Sequence, residues 1–253
     1  MLSSAARTHR GNIRKINEDA ILNHPDYQLY AIADGMGGHS VGDLASQAVI
    51  SELTGLKLDT YQAQEAVNCI ETSLNDVNKK INSGLNTDNS FGHISGSSSS
   101  GKVRESNRII GSTVVVVYIK NNLCSCFWVG DSRLYIYRNK KLYQITRDHS
   151  LVQEMVDDGQ LTHEEALNHP KANIITRALG VCQELEIDLN QFEIQAGDKL
   201  LLCSDGLYKE LNSKNIIAAL EAHNVEAIAN NLLGEVLIGD ATDNVSFIVI
   251  DKQ

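Results

Sequence analysis

Between residues 109 and 146 the chain runs through four short stretches, "IIGSTVVVVYIK", "LCSCFWVG", "RLYIYRN" and "KLYQIT", rich in β-branched and aromatic residues and separated by polar turns. Such side chains suit a pleated, packed surface, so the spacing predicts an antiparallel meander. Helical periodicity precedes it: Ala45, Ala48, Val49, Leu53 and Leu56, then Val67, Ile70, Leu74, Val77 and Ile81, recur at helical spacing over 44–56 and 66–81. After it come helical, acidic sequence at 150–169, a strand at 198–206, helical stretches near 213–222 and 225–238, and a closing strand at 243–251. Strands clustered in the middle with helix pairs outside them indicate an α+β architecture and not alternating βαβ units.

The 253 residues, 42% of them hydrophobic, suffice for one large core, and the chain reads as a single domain over 1–253. Within it, residues 82–107 contain hardly any large apolar side chains and are expected to form a flexible Ser/Gly-rich loop. A net charge of -10 argues against nucleic acid or an anionic membrane as the main partner. No apolar run approaches the roughly 20 residues of a bilayer span and no secretory leader pattern is read, so the expected location is cytoplasmic. The five cysteines are odd in number and lack a CxxC pair; they read as reduced core thiols, with Cys124 and Cys126 on one strand face.

Four apolar strands carry aspartate at an end. "LYAIADG" ends in Asp34-Gly35, "CFWVGDS" in Asp131 and "LLLCSDG" in Asp205-Gly206, while "DNVSFIVI" begins with Asp243. One Asp-Gly after a strand is ordinary turn chemistry. Four converging carboxylates would repel and raise one another's pKa values unless cations lay between them. Oxygen ligands favour Mg²⁺ or Mn²⁺ over zinc, and Gly35, having no side chain, lets its carbonyl approach an ion. The segment "THRGNIRKINEDA" adds Arg14, a planar fork suited to phosphate oxygens, and two more carboxylates, Glu18 and Asp19.

Taken in order, "RKINED" (14–19), "ADGMGGH" (33–39), "GST" (111–113), "VGDSR" (129–133), "TRDHS" (146–150), "NIITRALG" (173–180), "CSDGL" (203–207) and "DNVS" (243–246) resemble the motifs of bacterial metal-dependent protein phosphatases of the protein phosphatase 2C (PPM) family. The resemblance implies two packed antiparallel β-sheets flanked by helix pairs, an α-β-β-α sandwich, with a two-metal site at one end. It implies that Asp34 bridges two Mn²⁺ or Mg²⁺ ions, that the Gly35 carbonyl binds the second, and that Asp205 and Asp243 complete the first. Glu18 and Asp19 would act through waters, Asp131 would share a weaker third ion with Asp205, and Arg14 would hold the substrate phosphate. The implied reaction is hydrolysis of phosphoserine or phosphothreonine by a metal-bridging hydroxide, without a covalent enzyme intermediate. His39 reads either as an acid acting through water or as a loop-structuring residue.

Residues 148–180 correspond to the family's flap, whose acidic sequence fits either a basic substrate surface or a solvated helical face. The phrases "LLCSDGLYKEL" and "HPKANIITRALG" resemble the branch that works with a Ser/Thr kinase and a forkhead-associated protein in type VI secretion. The implied partners are a phosphorylated protein and a kinase or forkhead-associated protein, the enzyme itself being a monomer. Two rivals stand beside this reading: a phosphoprotein-binding module without turnover, and a phosphatase of small phosphoesters.

Overall fold

The computed structural model describes residues 1–37, 41–84 and 110–253. The chain begins with β1 (Leu2–His9), β2 (Asp19–His24), β3 (Leu29–Met36), α1 (Gly42–Thr54) and α2 (Ala63–Gly84). Then follow β4 (Gly111–Ser112), β5 (Val114–Lys120), β6 (Leu123–Val129), β7 (Arg133–Arg138), β8 (Lys141–Gln144), α3 (Leu151–Asp157) and α4 (His163–Leu167). It closes with β9 (Asp188–Glu193), β10 (Lys199–Cys203), α5 (Asp205–Tyr208), α6 (Ser213–Leu220), α7 (Val225–Ile238) and β11 (Val245–Lys252).

Two antiparallel sheets result. One has the order β1-β11-β10-β7-β8, the other β2-β3-β5-β6-β9 with β4 added to β3. Strand alternation distributes the apolar side chains among three layers. On β5, Val114, Val116 and Tyr118 point to the α1/α2 pair and pack with Val49, Leu53, Ile70 and Leu74. Val115, Val117 and Ile119 point the other way, into a seam between the sheets with Leu134, Leu202 and Ile248. The outer face of the β1-β11-β10-β7-β8 sheet, with Leu201, Phe247 and Val249, is covered by Ile216, Ile228 and Leu232 of α6 and α7. Burial on both faces is why "VVVVYIK" shows no period of two.

The expected single meander is corrected. β5 and β6 form one hairpin through Asn121-Asn122, and β7 and β8 another through Asn139-Lys140; all four turn residues have positive φ, as the strand twist favours. The hairpins lie in different sheets, and the chain crosses between them at Gly130-Asp131-Ser132. Gly130 makes this close: its φ is +108°, and a Cβ there would stand 2.6 Å from the Thr113 side chain.

All five cysteines are free. Cys124, Cys126 and Cys203 are buried as expected, Cys69 is partly buried, and Cys182 is exposed, which corrects its reading as a core thiol. Among the described residues no helix is long and apolar enough to cross a membrane. His39 and residues 85–107 of the expected loop lie outside the described residues.

Candidate metal centre

The strand ends named from sequence meet at one end of the sandwich. Asp19 and Asp34 are direct cross-strand partners on β2 and β3. The Asp34 backbone is held on three sides: its carbonyl accepts from Thr113 N at 2.8 Å and from Ser112 Oγ at 3.1 Å, and its N–H donates to Thr113 Oγ1 at 3.3 Å. Thr113 Oγ1 in turn lies 2.8 Å from Ser132 Oγ at the sheet crossover, joining the Asp34 strand to the Asp131 turn.

Beyond Asp34 the backbone is crowded. Gly35 N donates to the Glu18 carbonyl at 3.1 Å, and a Cβ on Gly35 would fall 2.0 Å from the Gly42 carbonyl oxygen. A Cβ on Gly42 would in turn meet Glu18 Oε1 at 2.6 Å. Two glycines therefore bring β3, the start of α1 and the Glu18 carboxylate to one place. Ser46 Oγ fixes the same corner by donating to the Glu18 carbonyl at 2.6 Å.

From the other sheet, Ser204 Oγ donates to Asp19 Oδ2 at 2.9 Å and accepts from Ser246 N at 3.0 Å. Asn244, beside Asp243, ties down the N-terminal segment. Its Nδ2 donates to the carbonyls of Arg10 and Ile16 at 3.0 and 2.9 Å, and its Oδ1 accepts from Glu18 N at 2.8 Å. Arg14, half exposed at the rim, donates through Nη2 to Asp243 Oδ2 at 2.8 Å. Asp205 opens α5 and pairs with Lys209 one turn later. Asp131 is 3% exposed and accepts from the Tyr208 hydroxyl, whose ring lies 3.5 Å beneath the Arg133 guanidinium.

The carboxylates are electrostatically one group. Burial raises the Asp34 pKa well above the ordinary carboxylate value, with Asp19, Asp205, Asp131 and Asp243 adding to it. Asp19 is pushed up to about 7 by burial, against hydrogen bonds from Ser246 and Ser204 and with the help of Asp205 and Asp243. Asp131 also rises to about 7, chiefly through burial and then through Asp205 and Asp148. Such mutual repulsion is relieved by cations.

The donor set suits hard divalent ions. Glu18 Oε1 and Asp19 Oδ1 are buried oxygens with no hydrogen-bond partner, and the Gly35–Gly42 contact leaves room for backbone but not for side chains. Among the described residues no three acidic, His or Cys side chains converge tightly enough to cage an ion alone.

Sequence reasoning named the acidic residues but passed over their supports: Ser112, Thr113, Ser204, Asn244, Gly42, Tyr208 and Lys209. Most sit within or beside the quoted motifs, and a question about what satisfies each buried carboxylate would have singled out the hydroxyls.

Residues 7–235 match the family model described as Protein phosphatase 2C. The serine/threonine protein phosphatase PstP of Mycobacterium tuberculosis is 35% identical over 251 residues, covering 99% of this chain; the chain spans 45% of that relative's length. A solved structure of PppA, described as a key regulatory component of T6SS in Pseudomonas aeruginosa, superposes with a TM-score of 0.84 at 34% identity, covering 99% of this chain and 97% of that one. The catalytic domain of PstP in complex with two manganese ions superposes with a TM-score of 0.83 at 34% identity, with the same coverage of both chains.

Proposed function

The chain belongs to the protein phosphatase 2C family, and on that premise we propose that it is a metal-dependent protein serine/threonine phosphatase. The observation that carries this reading is the mutually repelling set of buried Asp19 and Asp131 and partly buried Asp34 and Asp205, with Asp243 and Arg14 at its rim. Asp34, the Gly35 carbonyl, Asp205 and Asp243 would hold two divalent ions, Glu18 and Asp19 would bind their waters, and Asp131 would serve a weaker third ion. The ions would be Mn²⁺ or Mg²⁺, a choice of class supported by the two manganese ions of the PstP structure. When bound, such ions supply positive charge to the phosphoryl oxygens and a water nucleophile at neutral pH.

The chain's own residues do the positioning. Thr113 and Ser112 fix the Asp34 backbone, so its carboxylate need not reorganise during reaction. Asn244 fastens the segment carrying Arg14. A guanidinium has five N–H donors, and Arg14 can contact Asp243 through one while offering others to a phosphoryl group. Ser204 holds one oxygen of Asp19 and leaves Oδ1 to a water.

The substrate proposed is a phosphothreonine or phosphoserine protein, opposed by a bacterial kinase. Regulation of type VI secretion through a forkhead-associated partner is supported by the similarity to PppA. A cytoplasmic location is in keeping with five free thiols. The test is hydrolysis of a phosphothreonine peptide by purified protein with Mn²⁺, with chelator, and with Asp205→Asn. Metal-dependent turnover abolished by the substitution is expected; a folded protein inert with every divalent ion would favour the binding module.

A further inference from the structure

Lys209 is a cation in direct contact with the acidic centre. Its Nζ pairs with Asp205 Oδ2, and the same ammonium donates to Asn173 Oδ1 at 2.7 Å, within the 148–180 segment. The pairing is well shielded, with the Lys209 and Asp205 side chains 29% and 14% exposed. Asp131, Tyr208 and Lys209 together line a cavity of about 50 Å³ between the acidic centre and α3/α4, whose far side is lined by Val152, Ala166 and Leu167. On this measure a water needs roughly 10–15 Å³, so the cavity has room for an ion with a few waters.

We propose that Lys209 is a built-in cation that competes with a third divalent ion beside Asp131 and Asp205 and latches the 148–180 segment to the centre. This rests on the metal-dependent reading above. An ion shared by Asp131 and Asp205 must displace the ammonium from Asp205, and a divalent ion there would face a fixed positive charge a few ångströms away. Tyr208 contributes by holding Asp131 through its hydroxyl. Lys209 is thus a positioning residue that sets how tightly the centre holds a third ion.

The test is a count of bound Mn²⁺, read from the loss of the free-ion electron paramagnetic resonance signal, on the full chain, on Lys209→Gln and on Lys209→Arg. Two ions are expected to bind the unaltered protein tightly and a third weakly. In Lys209→Gln the third should tighten at least about tenfold, the scale on which a charge within 4–6 Å shifts an ionic equilibrium. Lys209→Arg should behave as the unaltered protein, and tryptic cleavage within 148–180 should quicken only in Lys209→Gln. If that variant does not fold, Lys209→Met removes the same charge. Equal third-ion affinity with and without the lysine charge overturns the proposal while leaving the two-ion reading intact. Failure of the unaltered protein to bind any Mn²⁺ overturns both.

Discussion

His149 and Gly130 are joined twice: the His149 N–H donates to the Gly130 carbonyl at 2.9 Å, and the Gly130 N–H donates to His149 Nδ1 at 3.1 Å. His149 thereby clamps the sheet crossover one residue before Asp131. An accepting Nδ1 requires the neutral ring protonated at Nε2, which faces Asp188 Oδ2 at 3.4 Å. Replacing His149 with Leu strands the buried Gly130 N–H and should cost about 1–3 kcal/mol in urea denaturation.

The same ring gives a pH dependence. Burial, followed by Arg177, lowers the His149 pKa, so the unfolded chain binds its proton before the folded chain does. Stability should therefore fall as pH drops through the ordinary histidine range near 6.5. His149→Leu should lack this component of the pH–stability curve, and thermal melts between pH 8 and pH 5 would detect its loss.

Asp34 sets activity against stability. Asp19, Asp34 and Asp131 have folded pKa values raised above their unfolded ones, two of them to about 7. Their contribution to the metal-free protein is present below about pH 4 and lost as pH rises through about 7. In chelator at pH 8, Asp34→Asn should melt higher than the unaltered protein, the gap closing toward pH 5. The same variant should hydrolyse no phosphopeptide. A lower melting point at pH 8 would contradict the assignment.

Gly42→Ala tests the crowded corner. The added methyl would sit 2.6 Å from Glu18 Oε1 and 3.0 Å from the Gly35 carbonyl carbon, so one of the two must move. Overpacking of this kind costs about 1–3 kcal/mol. Mn²⁺ affinity, measured by titration calorimetry, should weaken with it; Gly234→Ala, where no atom lies within 4 Å, should leave it unchanged.

Asn244→Ala removes three hydrogen bonds to the segment that carries Arg14. Its effect should appear mainly as a raised KM for phosphothreonine peptide, because phosphate binding suffers first. Arg14→Lys should raise KM too, since an ammonium cannot reproduce a planar fork.

Much of the molecule was legible in the residues alone. Periodicity placed α1 and α2, the polar turns separated the central strands, and aspartates at strand ends pointed to a shared acidic site because each tied local chemistry to an element boundary. Tertiary structure decided the rest. A strand buried on both faces, such as Val114–Lys120, carries no sign of which sheet its neighbours join, so the division of the hairpins between two sheets appears only when Gly130 lets the chain cross over. The pairing of Arg14 with Asp243 joins residues 229 positions apart, and the Lys209–Asn173 bond spans 36. Sequence sets which groups are charged and which strands are apolar, since those are properties of single residues and their spacing. Which charges neutralise one another depends on distances in space, and only the packed sheets bring those groups together.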